Sequence, residues 1–132
     1  MIVKIYESGE NYLETILILA ERKGSVRSID IVNEMGFSKP SVSVAMKQFR
    51  EGGYIQVDED GFITLTDTGR EIAERMLERH RLLTDYLVSL GVDGETAQID
   101  ACKLEHDMSQ ESFEKLREHY QHCHKGNEPP QA

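Results

Sequence analysis

Two short amphipathic segments separated by a single glycine turn constrain this chain more than any other feature. Ser28 to Met35 places Ile29, Ile31, Val32 and Met35 at helical spacing and stops at Gly36, after which Ser38 can cap a second helix running to about Glu51. Pro40 falls in the first turn of that second helix, where its missing N–H costs nothing. Helix, turn and helix in this order read as helix-turn-helix, although a generic helical hairpin has a similar pattern. The next segment narrows the choice. Tyr54-Ile55-Gln56-Val57 and Phe62-Ile63-Thr64-Leu65 are β-prone runs flanking Asp58-Glu59-Asp60-Gly61, a hairpin with a glycine turn. Helix-turn-helix, then hairpin, then helix is the winged-helix order, in which the second helix of the pair enters the DNA major groove.

The flanking segments are helical. Glu10 to Lys23 lines Leu13, Ile16, Leu17 and Ala20 along one stripe before Gly24, and a long pattern from Thr66 runs through Ile72, Met76, Leu77, Leu82, Leu83, Tyr86 and Leu87 to Gly91. Asp93 can cap the helix that carries Ala97, Ile99, Ala101, Cys102 and Leu104, and Ser109 can open a last one with Phe113, Leu116 and Tyr120. The predicted fold is mainly α with a small β-hairpin. An N-terminal winged helix-turn-helix over 1–67 is joined by a long helix to an all-helical domain over 68–124, with a disordered tail over 125–132. The helical half offers more apolar residues than its short helices can bury, so pairing with a second copy is expected.

A net charge of -9 argues against nonspecific polyanion binding, yet Phe37 to Gly53 carries Lys39, Lys47 and Arg50 against Glu51 alone. DNA contacts are therefore assigned to the second helix of the pair. Ser38, Pro40, Ser41 and Val44, with Lys39 and Ser43 in the same opening turns, face DNA at its start, and Lys47 and Arg50 lie nearer the backbone. The acidic hairpin tip would repel phosphate and is not expected to contribute. No apolar run approaches the roughly 18 residues needed to cross a bilayer, and no signal peptide is evident, so a cytoplasmic protein without a membrane partner is expected. In that compartment Cys102 and Cys123 would stay reduced.

Cys102-Lys103-Leu104-Glu105-His106 places a thiol, a carboxyl and an imidazole at i, i+3 and i+4 on one side of a helix, donors that suit a divalent transition metal. A thiol packed as a small hydrophobe beside a solvated Glu-His pair would give the same spacing. Asn11 and Glu14, an i, i+3 pair, read by themselves as ordinary solvated residues, and His80 as a structural or solvated histidine. His119, His122, Cys123 and His124, close to a polar terminus, read as a frayed and non-functional end.

Several of these segments together resemble the metal-dependent repressors of the diphtheria toxin repressor and manganese transport regulator (DtxR/MntR) type. The likeness rests on Glu10-Asn11-Tyr12-Leu13-Glu14, Ser38-Lys39-Pro40-Ser41-Val42-Ser43, Leu65-Thr66-Asp67-Thr68-Gly69-Arg70, Arg79-His80-Arg81-Leu82-Leu83 and the run from Ala101 to Ser109. It covers nearly the whole chain, from Glu10 to Tyr120. The resemblance implies a homodimer, with the helical half as its metal-binding and dimerisation domain. It implies a divalent metal corepressor and a palindromic double-stranded DNA operator near metal-uptake genes, with half-sites about one helical turn apart or a multiple of it.

The family's metal positions fall on Asn11, Glu14, His80, Cys102, Glu105 and His106, which reverses the solvated readings above. The manganese branch has carboxylates where Asn11 and Cys102 stand, whereas the iron branch has methionine and cysteine there. A soft thiolate combined with hard oxygen donors favours Fe(II), then Mn(II), with Zn(II) or Co(II) as occupants in vitro. Two other classes fit less of the chain. A winged-helix regulator of a small organic ligand would leave the Cys-Glu-His cluster without a role. A small metalloenzyme would leave the winged helix without one, so no enzymatic activity is expected.

Overall fold

The computed structural model describes residues 7 to 125; of the expected tail over 125–132, residues 126–132 lie outside them. Elements follow in the order α1 (Glu7–Lys23), α2 (Ser28–Met35), α3 (Lys39–Glu51), β1 (Ile55–Val57), β2 (Ile63–Leu65), α4 (Asp67–Ser89), α5 (Gly94–Asp107) and α6 (Gln110–Lys125). This is the mainly helical fold with one hairpin that the sequence predicts. The first helix begins earlier than expected, at Glu7. The last continues through Lys125, so the segment read as a frayed end is helical. The chain divides into two compact units between Leu77 and Glu78, within α4.

In the first unit, local signals set the helix ends. Gly36 adopts φ 72°, a left-handed cap closed by its N–H on the Val32 carbonyl, and the Ser38 hydroxyl accepts the Ser41 N–H at 3.2 Å with Pro40 in the first turn of α3. Asp30 in α2 accepts the Arg27 N–H at 2.9 Å and pairs with Lys23. The Lys23 hydrogen bond, followed by that from Arg27, holds its carboxyl below the usual aspartate value. The small stabilisation is therefore present above the unfolded-state pKa and is lost as pH falls through the lowered one.

The core gathers Tyr12, Leu13, Ile16 and Leu17 of α1, Ile31 of α2, and Val42, Met46 and Phe49 of α3, with Ile55, Ile63, Ala73 and Leu77. Each large side chain in it contributes roughly 1.5–3 kcal/mol by leaving water. Tyr12 packs against Phe37 and Phe49 with ring centroids 5.7 Å apart in each pair, and burial pushes its phenol above the ordinary tyrosine pKa.

The hairpin pairs Ile55 with Leu65 and Val57 with Ile63, and Val26 adds a bridge through the Ile63 N–H at 2.8 Å. At its tip, Asp58 Oδ1 accepts the N–H groups of Asp60 and Phe62, so this acid builds the turn. Thr66 then ties the hairpin to α4: its hydroxyl donates to the Gly53 carbonyl at 2.6 Å and accepts the Gly69 N–H at 3.2 Å. A Cβ on Gly69 would lie 2.0 Å from the Tyr54 carbonyl oxygen, which explains the glycine in Leu65-Thr66-Asp67-Thr68-Gly69-Arg70. Gly69→Ala is therefore expected to destabilise the protein by about 1–3 kcal/mol, read as a lowered urea midpoint at unchanged slope.

The second unit buries Leu83, Ala97, Ala101 and Phe113. Asp93 caps α5 by accepting the N–H groups of Glu95 and Thr96, and Ser109 caps α6 by accepting that of Ser112 at 3.0 Å. Arg117 pairs with Glu78 at 3.0 Å, and both Arg79 and Arg117 lie over the Phe113 ring. Val88, Leu90, Ile99 and Leu104 remain exposed, Leu90 at 69%. No helix of the described residues is long and apolar enough to cross a membrane.

Candidate metal centre and nucleic-acid interface

The spacing of Cys102, Glu105 and His106 on α5 brings one donor atom from each within 4.8 Å of the others. Glu105 is completely buried, and the His106 side chain is 1% exposed. From α4, His80 brings Nδ1 to 2.9 Å from Glu105 Oε2, so the histidine read as structural or solvated meets the same carboxyl. The other carboxyl oxygen, Glu105 Oε1, lies 3.3 Å from His106 Nε2 but forms no hydrogen bond with it or with any other group among the described residues.

A buried carboxyl oxygen without a hydrogen bond is costly, and a cation would satisfy it. The donors fit one: a thiol, a carboxyl and an imidazole gather on α5, with His80 facing the same carboxyl, types suited to a divalent transition metal. Asn11 and Glu14 belong to the first unit, on α1, with Asn11 partly exposed and Glu14 buried. The reading of Glu14 as a solvated surface acid is thus excluded by its burial.

Arg79 is the residue beside the candidate site that the sequence hid. It is 5% exposed, and its Nη1 donates to the carbonyl of Glu105 at 2.9 Å and that of Met108 at 2.6 Å, while Nη2 donates to Gln110 Oε1 at 2.9 Å. One guanidinium thus satisfies carbonyls at the end of α5, including that of a candidate ligand, and ties them to the start of α6. Only its place beside His80 in Arg79-His80-Arg81 hinted at this role.

On the first unit, α3 turns Val42, Met46 and Phe49 into the core at i, i+4 and i+7. Its opposite side leaves Lys39, Pro40, Ser41, Ser43, Val44, Lys47 and Arg50 exposed, as is the Ser38 cap. Val44, at 57% exposure, has no packing role that would explain an apolar residue there. Arg27 stacks its guanidinium 4.2 Å from the Phe62 ring centroid, placing an exposed cation at the base of the hairpin whose tip is acidic.

Comparison with known proteins bears on both parts. Residues 4–62 match the N-terminal DNA-binding domain of iron-dependent repressors, and residues 66–131 match their metal-binding and dimerisation domain. The transcriptional regulator MntR of Salmonella typhimurium is 33% identical over 105 residues, which cover 80% of this chain and 67% of that protein. An uncharacterized HTH-type transcriptional regulator of Methanocaldococcus jannaschii is 34% identical over 113 residues, 84% of this chain and 90% of its own. Among solved structures, a manganese-dependent transcriptional repressor in complex with manganese superposes with a TM-score of 0.74 at 30% identity, covering 82% of this chain and 50% of that one. IdeR of T. acidophilum superposes at 0.75 and 27% identity, covering 90% and 55%. The chain therefore spans about half the length of these solved relatives.

Proposed function

The chain belongs to the iron-dependent repressor family, and on that premise we propose that it acts as a homodimeric transcriptional repressor whose grip on DNA is set by Fe(II) or, next, Mn(II). The family is one of metal-dependent DNA-binding regulators, not of enzymes. The observation that carries the reading is the buried Glu105 carboxyl, with one oxygen facing His80 and the other unmatched. His80, Cys102, Glu105 and His106 would hold the ion, and Asn11 and Glu14 of α1 would complete its donor set. When bound, the ion supplies positive charge and fixed directions for these donors. The chain's own residues do the rest: Arg79 holds the end of α5, and α3 presents the DNA-reading surface. A small organic corepressor would leave Glu105 Oε1 unexplained.

The mixed donors support the metal order. Cys102 is soft, while Glu14, Glu105 and Asn11 offer hard oxygen, which suits ferrous iron better than an all-oxygen site would. Zinc and cobalt are expected to bind in vitro. We place the protein in the cytoplasm and its operator, a palindrome, near metal-homeostasis genes. The exposed Val88, Leu90, Ile99 and Leu104 supply the apolar surface that pairing with a second copy would cover.

The test is operator affinity with chelator and with each divalent metal, measured anaerobically on DNA selected by the metal-loaded protein from a random pool. A coupling of about 1–3 kcal/mol would tighten binding roughly 5- to 150-fold. Equal affinity with chelator and with excess metal would refute metal gating. In Cys102→Glu the ratio of manganese to cobalt needed for half-maximal binding is expected to fall, because the site loses its only sulfur. An unchanged ratio in a folded dimer would exclude the thiol as a ligand.

The recognition surface has a separate test. Lys47→Ala and Arg50→Ala should each weaken binding across sequences and lower the slope of log affinity against log salt by about 1. If both leave affinity and slope unchanged, α3 does not lie against the backbone in this orientation.

A further inference from the structure

His119, His122 and Cys123 repeat on α6 the i, i+3, i+4 spacing that Cys102, Glu105 and His106 have on α5. That spacing converges three donors in the buried cluster, whereas on α6 His119 and Cys123 are the pair already in contact. On α6 the three residues are exposed, beside the stripe of Phe113, Leu116, Arg117 and Tyr120 that turns inward. Two contacts show that the face is already partly ordered. Cys123 Sγ lies 3.4 Å from His119 Nε2 and 3.8 Å from its Nδ1. The Tyr86 ring lies nearly parallel to the His119 ring, with centroids 6.5 Å apart and planes at 21°, and bounds the positions that imidazole can take.

We propose that His119, His122 and Cys123 form a second metal site, for a thiophilic divalent ion such as zinc or cobalt, independent of the buried cluster. The argument is one of distance and donor type. A tetrahedral ion with a sulfur at about 2.3 Å and a nitrogen at about 2.05 Å separates those two donors by about 3.6 Å. The observed 3.4 Å differs from that bite by little, and turning the imidazole about its soft χ2 bond selects the nitrogen that faces the sulfur. Two imidazoles and a thiolate, with no carboxyl among them, exclude the hard-ligand preference of manganese and leave a fourth position for water. The buried cluster, which contains Glu105, suits harder ions. The two sites would therefore sort metals differently.

The experiment uses the full chain, anaerobic and reduced, with Cys102→Ser removing the thiol of the buried cluster. Cobalt(II) added to this variant should produce a cobalt–thiolate charge-transfer band. Adding Cys123→Ser should abolish the band, and adding His119→Gln should weaken cobalt binding at the site by about tenfold or more. All of the residues changed on α6 are exposed, and circular dichroism confirms that the helices persist. In the unaltered protein, zinc should slow alkylation of Cys123 by iodoacetamide by about tenfold, read by mass spectrometry. Absence of the band in folded Cys102→Ser protein overturns the proposal. So does a band indifferent to His119→Gln, which would mean a lone thiol rather than a site, and so does alkylation unaffected by zinc.

Discussion

Glu105→Gln is expected to abolish the response to metal while leaving the protein folded. The substitution keeps the size of the side chain and a group able to face His80 Nδ1, now 2.9 Å from Oε2, but removes the charge that would bind an ion. In the unaltered protein, a metal at a hundred times its dissociation constant should raise folding stability by about 2.7 kcal/mol, because it binds the native state alone. If the substitution weakens binding about a hundredfold, the gain at the same concentration drops to about 0.4 kcal/mol. The measurement is the shift of the denaturant midpoint on adding cobalt or manganese, with DNA affinity read in parallel. The roughly 5- to 150-fold tightening by metal should vanish with it. A variant that keeps its metal-induced shift would show that the ion sits elsewhere.

Arg79→Lys should weaken metal binding by about 10- to 100-fold, the cost usual for removing a group that orients a ligand. Arginine reaches two carbonyls and a side-chain amide from one planar fork; lysine keeps the charge but concentrates its donors on one nitrogen. The Glu105 carbonyl or its neighbour at Met108 then loses its partner, and the end of α5 loosens. Arg79 is a positioning residue, so its signature lies in metal affinity measured apart from stability. A merely structural role predicts a lower urea midpoint without metal and an unchanged affinity once the protein is folded. The expected result is a clear loss of affinity, larger than any change in the midpoint without metal explains.

The local physics of this chain was legible residue by residue. Gly36, Ser38 with Pro40, Asp93 and Ser109 mark helix ends because the groups that terminate helices act within a turn of sequence. Each is found where that chemistry puts it. The period of Val42, Met46 and Phe49 likewise assigned the core side of α3, and hence its exposed side. On α5, the spacing of Cys102, Glu105 and His106 sufficed to bring three candidate donors together, because i, i+3 and i+4 positions meet on any helix.

What spacing could not supply was everything that depends on elements distant in the chain. His80 and Glu105 lie 25 residues apart, and the hydrogen bonds of Arg79 span 26 to 31. No local pattern distinguishes that arginine from a solvated one. Glu14 looked like a surface acid until its burial was seen, and no local pattern pairs Val26 with Ile63. The end of the chain taught the same lesson in reverse. A polar, histidine-rich composition suggested fraying, yet α6 continues through it, its His119 ring against Tyr86 of α4. Composition reports what a segment would do alone in water; packing against another helix decides whether it stays ordered, and only the tertiary structure contains that contact.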